Sequence, residues 1–153
     1  MATRMTRTNM ETIYQRIFET TPDALLVVDP SGCITLVNAQ AEVLFGYDRG
    51  ELIGQPIEML VPHRFAARHA GHRARFESET SSRQMGRAVE LFALQKSGRE
   101  LPVDIMLSPM ALDSQRVTLC VVRDITERRA AEDRLRQQTK ELQKLHSDLR
   151  EQA

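Results

Sequence analysis

The sequence predicts an α+β fold, a five-stranded antiparallel sheet with short helices gathered on one face and a helix at each end. Three patterns carry that reading. Two β-rich runs stand near the start, three more lie between residues 88 and 122, and short helical patterns separate the two groups. A long segment free of Gly and Pro then closes the chain. Strands that group together, with helices between the groups, mark segregated layers rather than alternating βαβ units.

The elements follow in order. Residues 1–20 are polar, and Ile13, Ile17 and Phe18 recur at helical spacing, which predicts a short amphipathic helix. Thr20-Thr21-Pro22-Asp23 ends it, because proline disfavours helix in the residue before it. Ala24–Asp29 and Cys33–Asn38 are strand candidates joined by the turn Pro30-Ser31-Gly32, so the pair reads as a hairpin. Ala39–Tyr47 carries Ala41, Val43, Leu44 and Phe45 and reads as a short helix ending at Gly46; Arg49–Gly54 is a helical turn closed by glycine. Pro62 opens a helix that runs to about Ser78, since the missing N–H of proline is no loss in a first turn. After the polar stretch 78–84 come Ala88–Gln95, Leu101–Leu107 and Val117–Val122, the first two joined at Lys96-Ser97-Gly98-Arg99.

From Thr126 to Ala153 the chain is rich in Glu, Arg, Gln and Leu. Ala131, Leu135, Gln138, Leu142, Leu145 and Leu149 stand at spacings of 4, 3, 4, 3 and 4. That is the a/d stripe of a coiled coil. Thirteen of these 28 residues are charged, and the stripe is narrow, which favours a paired helix over one packed on its own domain. A homodimer follows, parallel or antiparallel, with Ile13, Ile17, Leu135, Leu142, Leu145 and Leu149 as interface candidates. Three segments result: a helical cap (1–20), a core domain (21–125) and a coiled-coil helix (126–153). Ending in mid-heptad at Glu151-Gln152-Ala153, the sequence reads as the input end of a longer protein.

Composition narrows the function. Lys+Arg and Asp+Glu balance at 21 each, so there is no basic excess for neutralising phosphates. No apolar run approaches the roughly 20 residues of a membrane span, and the amino terminus lacks a secretory pattern. Two cysteines, Cys33 and Cys120, suit a reducing compartment. A cytoplasmic protein is expected, with no nucleic acid or membrane as partner. Neutrality is nonetheless a cancellation: residues 21–61 carry −5 and residues 62–76 carry +4.

Asp23-Ala24-Leu25-Leu26-Val27-Val28-Asp29, Gly32, Val37-Asn38, Leu44-Phe45-Gly46-Tyr47 and Glu51-Leu52-Ile53-Gly54 resemble the first half of a PAS domain. Lys96-x-Gly98, Pro102-Val103-Asp104-Ile105, Leu107-Ser108 and Val122-Arg123-Asp124-Ile125-Thr126-Glu127-Arg128 are similar to its second half. The resemblance covers about residues 10–130. It implies a small pocket between the sheet and its helices, and a signal passed along a carboxy-terminal helix to an effector such as a histidine kinase or diguanylate cyclase. It also makes Asp124-Ile125-Thr126 the relay junction. Either Asp124 or Thr126 is placed to cap the helix, and Asp124 with Glu127 has capping-box spacing.

Within that family, Arg68-His69 to Arg75-Phe76 resembles the helix that supplies the iron ligand in the FixL-like haem-binding oxygen sensors. The resemblance puts His69 at the iron (haem b), with Ile105 and Leu107 lining the opposite wall. His72 stands where those sensors carry an aromatic residue. Val89 stands where they carry an arginine, with Arg87 two residues away on the same strand face. Phe65, His69, His72 and Phe76 share one helix face, expected to point inward, while Arg64, Arg68 and Arg75 form a solvated stripe. Another small ligand, or a core histidine with no ligand, remains open. The reactive Asn-Cys-Arg-type motif of flavin light sensors is absent, and the histidines lack interleaved carboxylates for zinc.

No phosphate-binding glycine loop or nucleophile elbow occurs, nor a kinase phosphoacceptor box or cyclase signature. His146 lacks the flanks of a phosphoacceptor. The expectation is a sensory module and not an enzyme, with a constitutive dimerisation and relay segment as the alternative.

Overall fold

A computed structural model describes residues 7–66, 83–85 and 91–152. The chain runs through α1 (Arg7–Thr20), β1 (Ala24–Val28), β2 (Ile34–Val37), α2 (Ala39–Phe45), α3 (Arg49–Leu52) and a 3-10 turn at Ile57–Leu60. After these come β3 (Arg83–Met85), β4 (Leu91–Leu94), β5 (Glu100–Leu112), β6 (Gln115–Asp124) and α4 (Thr126–Glu151). The expected α+β architecture is present.

The sheet is antiparallel, ordered β2-β1-β6-β5, and β3 and β4 both pair with the free side of β5. Six strand segments therefore occupy five positions, the width expected. Met85 and Leu91 are six residues apart along this edge, yet their partners Ile105 and Val103 are two apart. Such a mismatch divides one edge strand in two, and β3 accordingly falls in a stretch whose polar residues predict a break.

The central hairpin is longer than its apolar pattern. β5 and β6 pair from Val103–Asp124 to Leu112–Gln115, beyond the expected ends at Leu107 and Val117. Asp113 and Ser114 close it with φ of 48° and 64°. A two-residue loop with both central residues at positive φ has a twist that matches the strands, and Asp tolerates the left-handed region. The extension is thus set by turn geometry and continued pairing, which apolar alternation does not reveal.

The described short helices cover one face. Ala24, Leu26 and Val28 of β1, Ile34 and Val37 of β2, Leu101 and Val103 of β5, and Cys120 and Val122 of β6 meet Ala41, Leu44, Phe45, Leu52 and Leu60 in one buried cluster. Strand residues two apart share a face, so β1, β5 and β6 contribute every second side chain, whereas Ile34 and Val37 of β2 are three apart, across the register irregularity at Val27/Val28. The opposite face leaves Leu36, Met106 and Leu112 about half exposed.

Among the described residues, one polar side chain is fully enclosed. Asn38 is the N-cap of α2, and its Oδ1 accepts from Ala41 N–H (3.0 Å) and Leu25 N–H (2.9 Å). Its Nδ2 donates to the carbonyls of Phe18 and Asp23, both at 3.0 Å. The amide thus ties the end of α1, the start of β1 and the first turn of α2 together. Around it, Arg49 bridges Glu19 (2.9 Å) and Glu42 (3.1 Å), and Glu19 accepts from Ala39 N–H (3.0 Å). Glu19 is held below the ordinary glutamate range, chiefly by its hydrogen bond from Arg49.

Asn38→Ala leaves two donors and two acceptors without their partner in a buried to part-buried place. A loss of about 3 kcal/mol is expected, the cost of leaving buried polar groups unmatched. Urea unfolding should show it as a lower midpoint with an unchanged slope.

Candidate functional site

The site has an apolar wall and an exit. On β5, Ile105 and Leu107 continue the inward row of Leu101 and Val103, half-buried and packed against the core. Tyr47, Ile57, Met59 and Leu91 lie around the same core with partial exposure. The two wall residues therefore occupy the face expected of them. His69, His72 and Arg87 lie outside the described residues, as do Arg68, Arg75, Phe76 and Val89.

The segment that leads toward them is visible at its start. Pro62 is fully buried, and residues 63–66 form a helical turn, with His63, Arg64 and Phe65 exposed. Two expectations are corrected here. Phe65 does not face inward but is 38% exposed, stacked under the Arg64 guanidinium at 4.6 Å. Arg64 is not simply solvated either, since both its terminal nitrogens bond to the Glu100 carboxylate, one of them at 2.9 Å. The reason is position: Pro62 has the buried spot, and the turn after it runs along the rim beside Glu100, the first residue of β5. The fork of Arg against a carboxylate suits paired hydrogen bonds. Arg64 holds Glu100 below the ordinary glutamate range and is itself raised by Glu100.

At the exit, Asp124 ends β6 and α4 begins at Thr126. The Asp124 carboxylate accepts from Thr126 N–H (2.9 Å) and from the Thr126 hydroxyl. Neither Asp124 nor Thr126 is the N-cap, which is Ile125 with no side-chain cap. The expected capping box thus gives way to a local turn, because Asp124 is still the last residue of the strand and reaches only the first helical N–H. Ile125 N–H donates to Pro102 O (3.1 Å), and Arg128 pairs with Asp104 at 2.9 Å. Asp23 accepts both hydrogen bonds of Arg123 (3.0 and 3.1 Å), so β1 is tied to the same end of β6. Exposed pairs of this kind are each worth about 0.2–1 kcal/mol. The described ties at the first turn of α4 are accordingly weak one by one.

Beyond that turn every described residue of α4 is exposed. It has no buried residue, and Leu135, Leu142, Leu145 and Leu149 are 59–67% exposed. Its stripe is therefore not packed on the domain's own core. Ile13 and Ile17 of α1 are also exposed, along one side with Met10 and Tyr14.

The cysteines behave as packing residues. Cys120 is buried on β6, and burial pushes its thiol up to about 12, far from the reactive thiolate form. Cys33 is half-buried; it makes an isolated bridge to Pro56 just before β2 instead of lying within a strand. Among the described residues no three His, Cys, Asp or Glu side chains cluster as metal ligands. No described helix is long and apolar enough to cross a membrane.

An antiparallel sheet with its helices on one face, a half-covered apolar wall and a projecting terminal helix define a small sensory domain. The chain belongs to the PAS family: the description PAS fold matches residues 12–125. It is 30% identical over 132 residues to the sensor protein FixL of Bradyrhizobium diazoefficiens, covering 86% of this chain and 26% of FixL. It is 27% identical over 112 residues to the oxygen sensor protein DosP of Escherichia coli, covering 73% of this chain and 14% of DosP. The PAS domain of an HTR-like protein from Haloarcula marismortui superimposes with a TM-score of 0.67 at 24% identity, covering 77% of this chain and 93% of that one. The chain spans about a quarter of FixL and a smaller share of DosP.

Sequence reasoning did not single out Asn38 for its enclosure, although an Asn just before a helical pattern is a capping signal. Nor did it single out Phe92, whose ring lies near Arg64 and Arg129, because nothing in residues so far apart announces that meeting.

Glu100 is expected to titrate below an ordinary glutamate, and Arg64→Gln is expected to return it to the usual range, read by NMR of the side-chain carboxyl carbon. Its carboxylate form is favoured in the folded state, so the tie is intact above the ordinary value. It is lost as pH falls through the depressed one.

Proposed function

We propose that this chain is a signal-sensing and relay module, in which the state of the pocket behind Ile105 and Leu107 is passed through Asp124-Ile125-Thr126 to α4. A paired α4 then carries it to an effector of the histidine kinase or diguanylate cyclase kind. The observation that carries this reading is the leucine stripe of α4, exposed along its length while its first turn is tied to β5. A long helix with a narrow apolar stripe gains stability from a partner helix, and a second copy of the chain supplies an identical stripe. The large share of FixL and DosP lying beyond the matched region is consistent with a separate effector. The proposed boundaries are 1–20 for the cap, 21–125 for the sensor and 126–153 for the output helix, with Ile13 and Ile17 adding to the dimer.

A second reading has its own support. Similarity to a protein named an oxygen sensor, together with the apolar wall on β5, favours haem as the pocket's ligand. His69 would hold the iron, His72 and Arg87 would stand near it, and Ile105 and Leu107 would pack on the ring face. Haem would supply a gas-binding iron whose ligation state is the signal. The chain's own contribution is an apolar wall that keeps water off one side. A different small organic ligand would use the same wall.

The dimer is tested by the mass in solution of the full chain against the Leu142→Glu, Leu145→Glu double variant. A dimer that becomes a monomer supports the pairing; a monomer in both cases refutes it. The haem reading is tested by the absorption spectrum of protein made with haem in supply. A Soret band that His69→Ala removes supports it, and a featureless spectrum in both proteins sinks it.

A further inference from the structure

We propose that Phe92 is the positioning residue through which the segment after Pro62 controls how firmly α4 is docked. This rests on the relay reading and names its route. Phe92 lies on β4, paired with Pro102 of β5, and is half-buried. Two guanidinium groups from elements far apart in sequence converge on its ring. Arg129, in the first turn of α4, lies 5.3 Å from the ring centroid, and Arg64, in the turn after Pro62, lies 6.0 Å from it. Both are at cation–π distance.

The two contacts differ in kind. Arg64 is already engaged by the Glu100 carboxylate and by Phe65, so its charge is neutralised and its plane fixed. It acts on Phe92 as an anchored plate that restricts the ring. Arg129 belongs to a helix whose first turn is held, among the described residues, by individually weak ties that include Ile125 N–H to Pro102 O, Arg128 to Asp104 and the local bonds of Asp124. A ring held still by Arg64 is a better-placed partner for Arg129, because less side-chain freedom is lost when the contact forms. Moving the segment after Pro62 withdraws the plate, frees the ring and loosens α4. The covalent route from Arg64 to Arg129 runs through the edge strand and the whole central hairpin, whereas the route through Phe92 is two contacts long.

The backbone offers a clean readout. Arg129 N–H donates to Ile125 O, the first bond of α4 with a carbonyl ahead of the helix. Amide exchange of residues 130–132 in the full chain then reports opening of that turn. A cation–π contact at a partly exposed site corresponds to an effect of about two- to fivefold. Arg64→Gln is expected to lower protection of these amides by about that factor, although no described contact joins Arg64 to α4. Arg129→Gln should lower it similarly, and the double variant should fall short of the product of the two effects. With Phe92→Leu in the background, Arg64→Gln should no longer change α4 at all. Phe92→Tyr, which keeps the ring, should retain the coupling.

Two results overturn the proposal. One is an Arg64→Gln effect confined to its own turn. The other is an effect on α4 that persists undiminished in Phe92→Leu, which would route it through Glu100 and β5. Should Phe92→Leu not fold, the Arg64 and Arg129 double-mutant cycle in the wild-type and Phe92→Tyr backgrounds still decides, since additive effects there refute the coupling. Exchange is readable in a monomer or a dimer, with or without haem. Failure here therefore removes only the Phe92 route, and failure of the dimer or haem tests leaves this one standing.

Discussion

A buried amide that must be satisfied on every side organises the amino-terminal half of this domain. Asn38 is fully enclosed, and its four hydrogen bonds reach three elements. Buried polar groups without partners are costly, so the end of α1, the entry to β1 and the start of α2 are held at one distance from each other. The placement of α2 in turn sets Leu44 and Phe45 against the sheet, and the Phe45 carbonyl accepts from Lys96 N–H at the β4–β5 turn (2.9 Å). Gln95 Nε2 adds a bond to the Leu44 carbonyl at 2.7 Å. The far edge of the sheet is thereby tied to the same helix that Asn38 caps.

The two ends of the domain are built on different principles. The core closes on apolar contacts and saturated backbone bonds, which open only at large cost. The exit to α4 depends on half-exposed ion pairs, one strand-to-helix backbone bond and cation–π contacts, each worth little alone. A junction assembled from weak ties has states that differ by small free energies, which modest contact changes can redistribute. The same economy leaves the leucine stripe of α4 uncovered on the domain itself. PAS membership and the exposed helix fit together on these terms: a firm body carrying a softly docked terminal helix.

Much of this was legible beforehand. The β-rich runs Ala24–Asp29, Cys33–Asn38 and Leu101–Leu107, with Gly32 and Gly98 at turns, were enough to mark the hairpins. The absence of Gly and Pro after Ile125 located the start of α4 at Thr126, and the 4-3 spacing from Ala131 marked its apolar stripe. Ile105 and Leu107 were reached through the family resemblance, and the structure puts them on the same face as Leu101 and Val103. What escaped prediction has specific causes. Polar β3 is a strand because β5 offers it a partner. The β5–β6 hairpin runs on to Asp113-Ser114 because pairing continues past the apolar residues. Phe65 turns outward because Pro62 takes the interior position and Glu100 captures Arg64.

The sequence by itself thus determined the class of fold, the run of its strands and helices, and the apolar stripe of α4. These follow from local periodicity and turn chemistry, which act between residues a few positions apart. Only the tertiary structure decided that Asn38 would be enclosed, that one edge of the sheet would be shared by two strands, and that Arg64 and Arg129 would meet over Phe92. Those outcomes depend on distances between residues tens of positions apart in the chain, and such distances are set by the packing of the whole core. No local pattern encodes them.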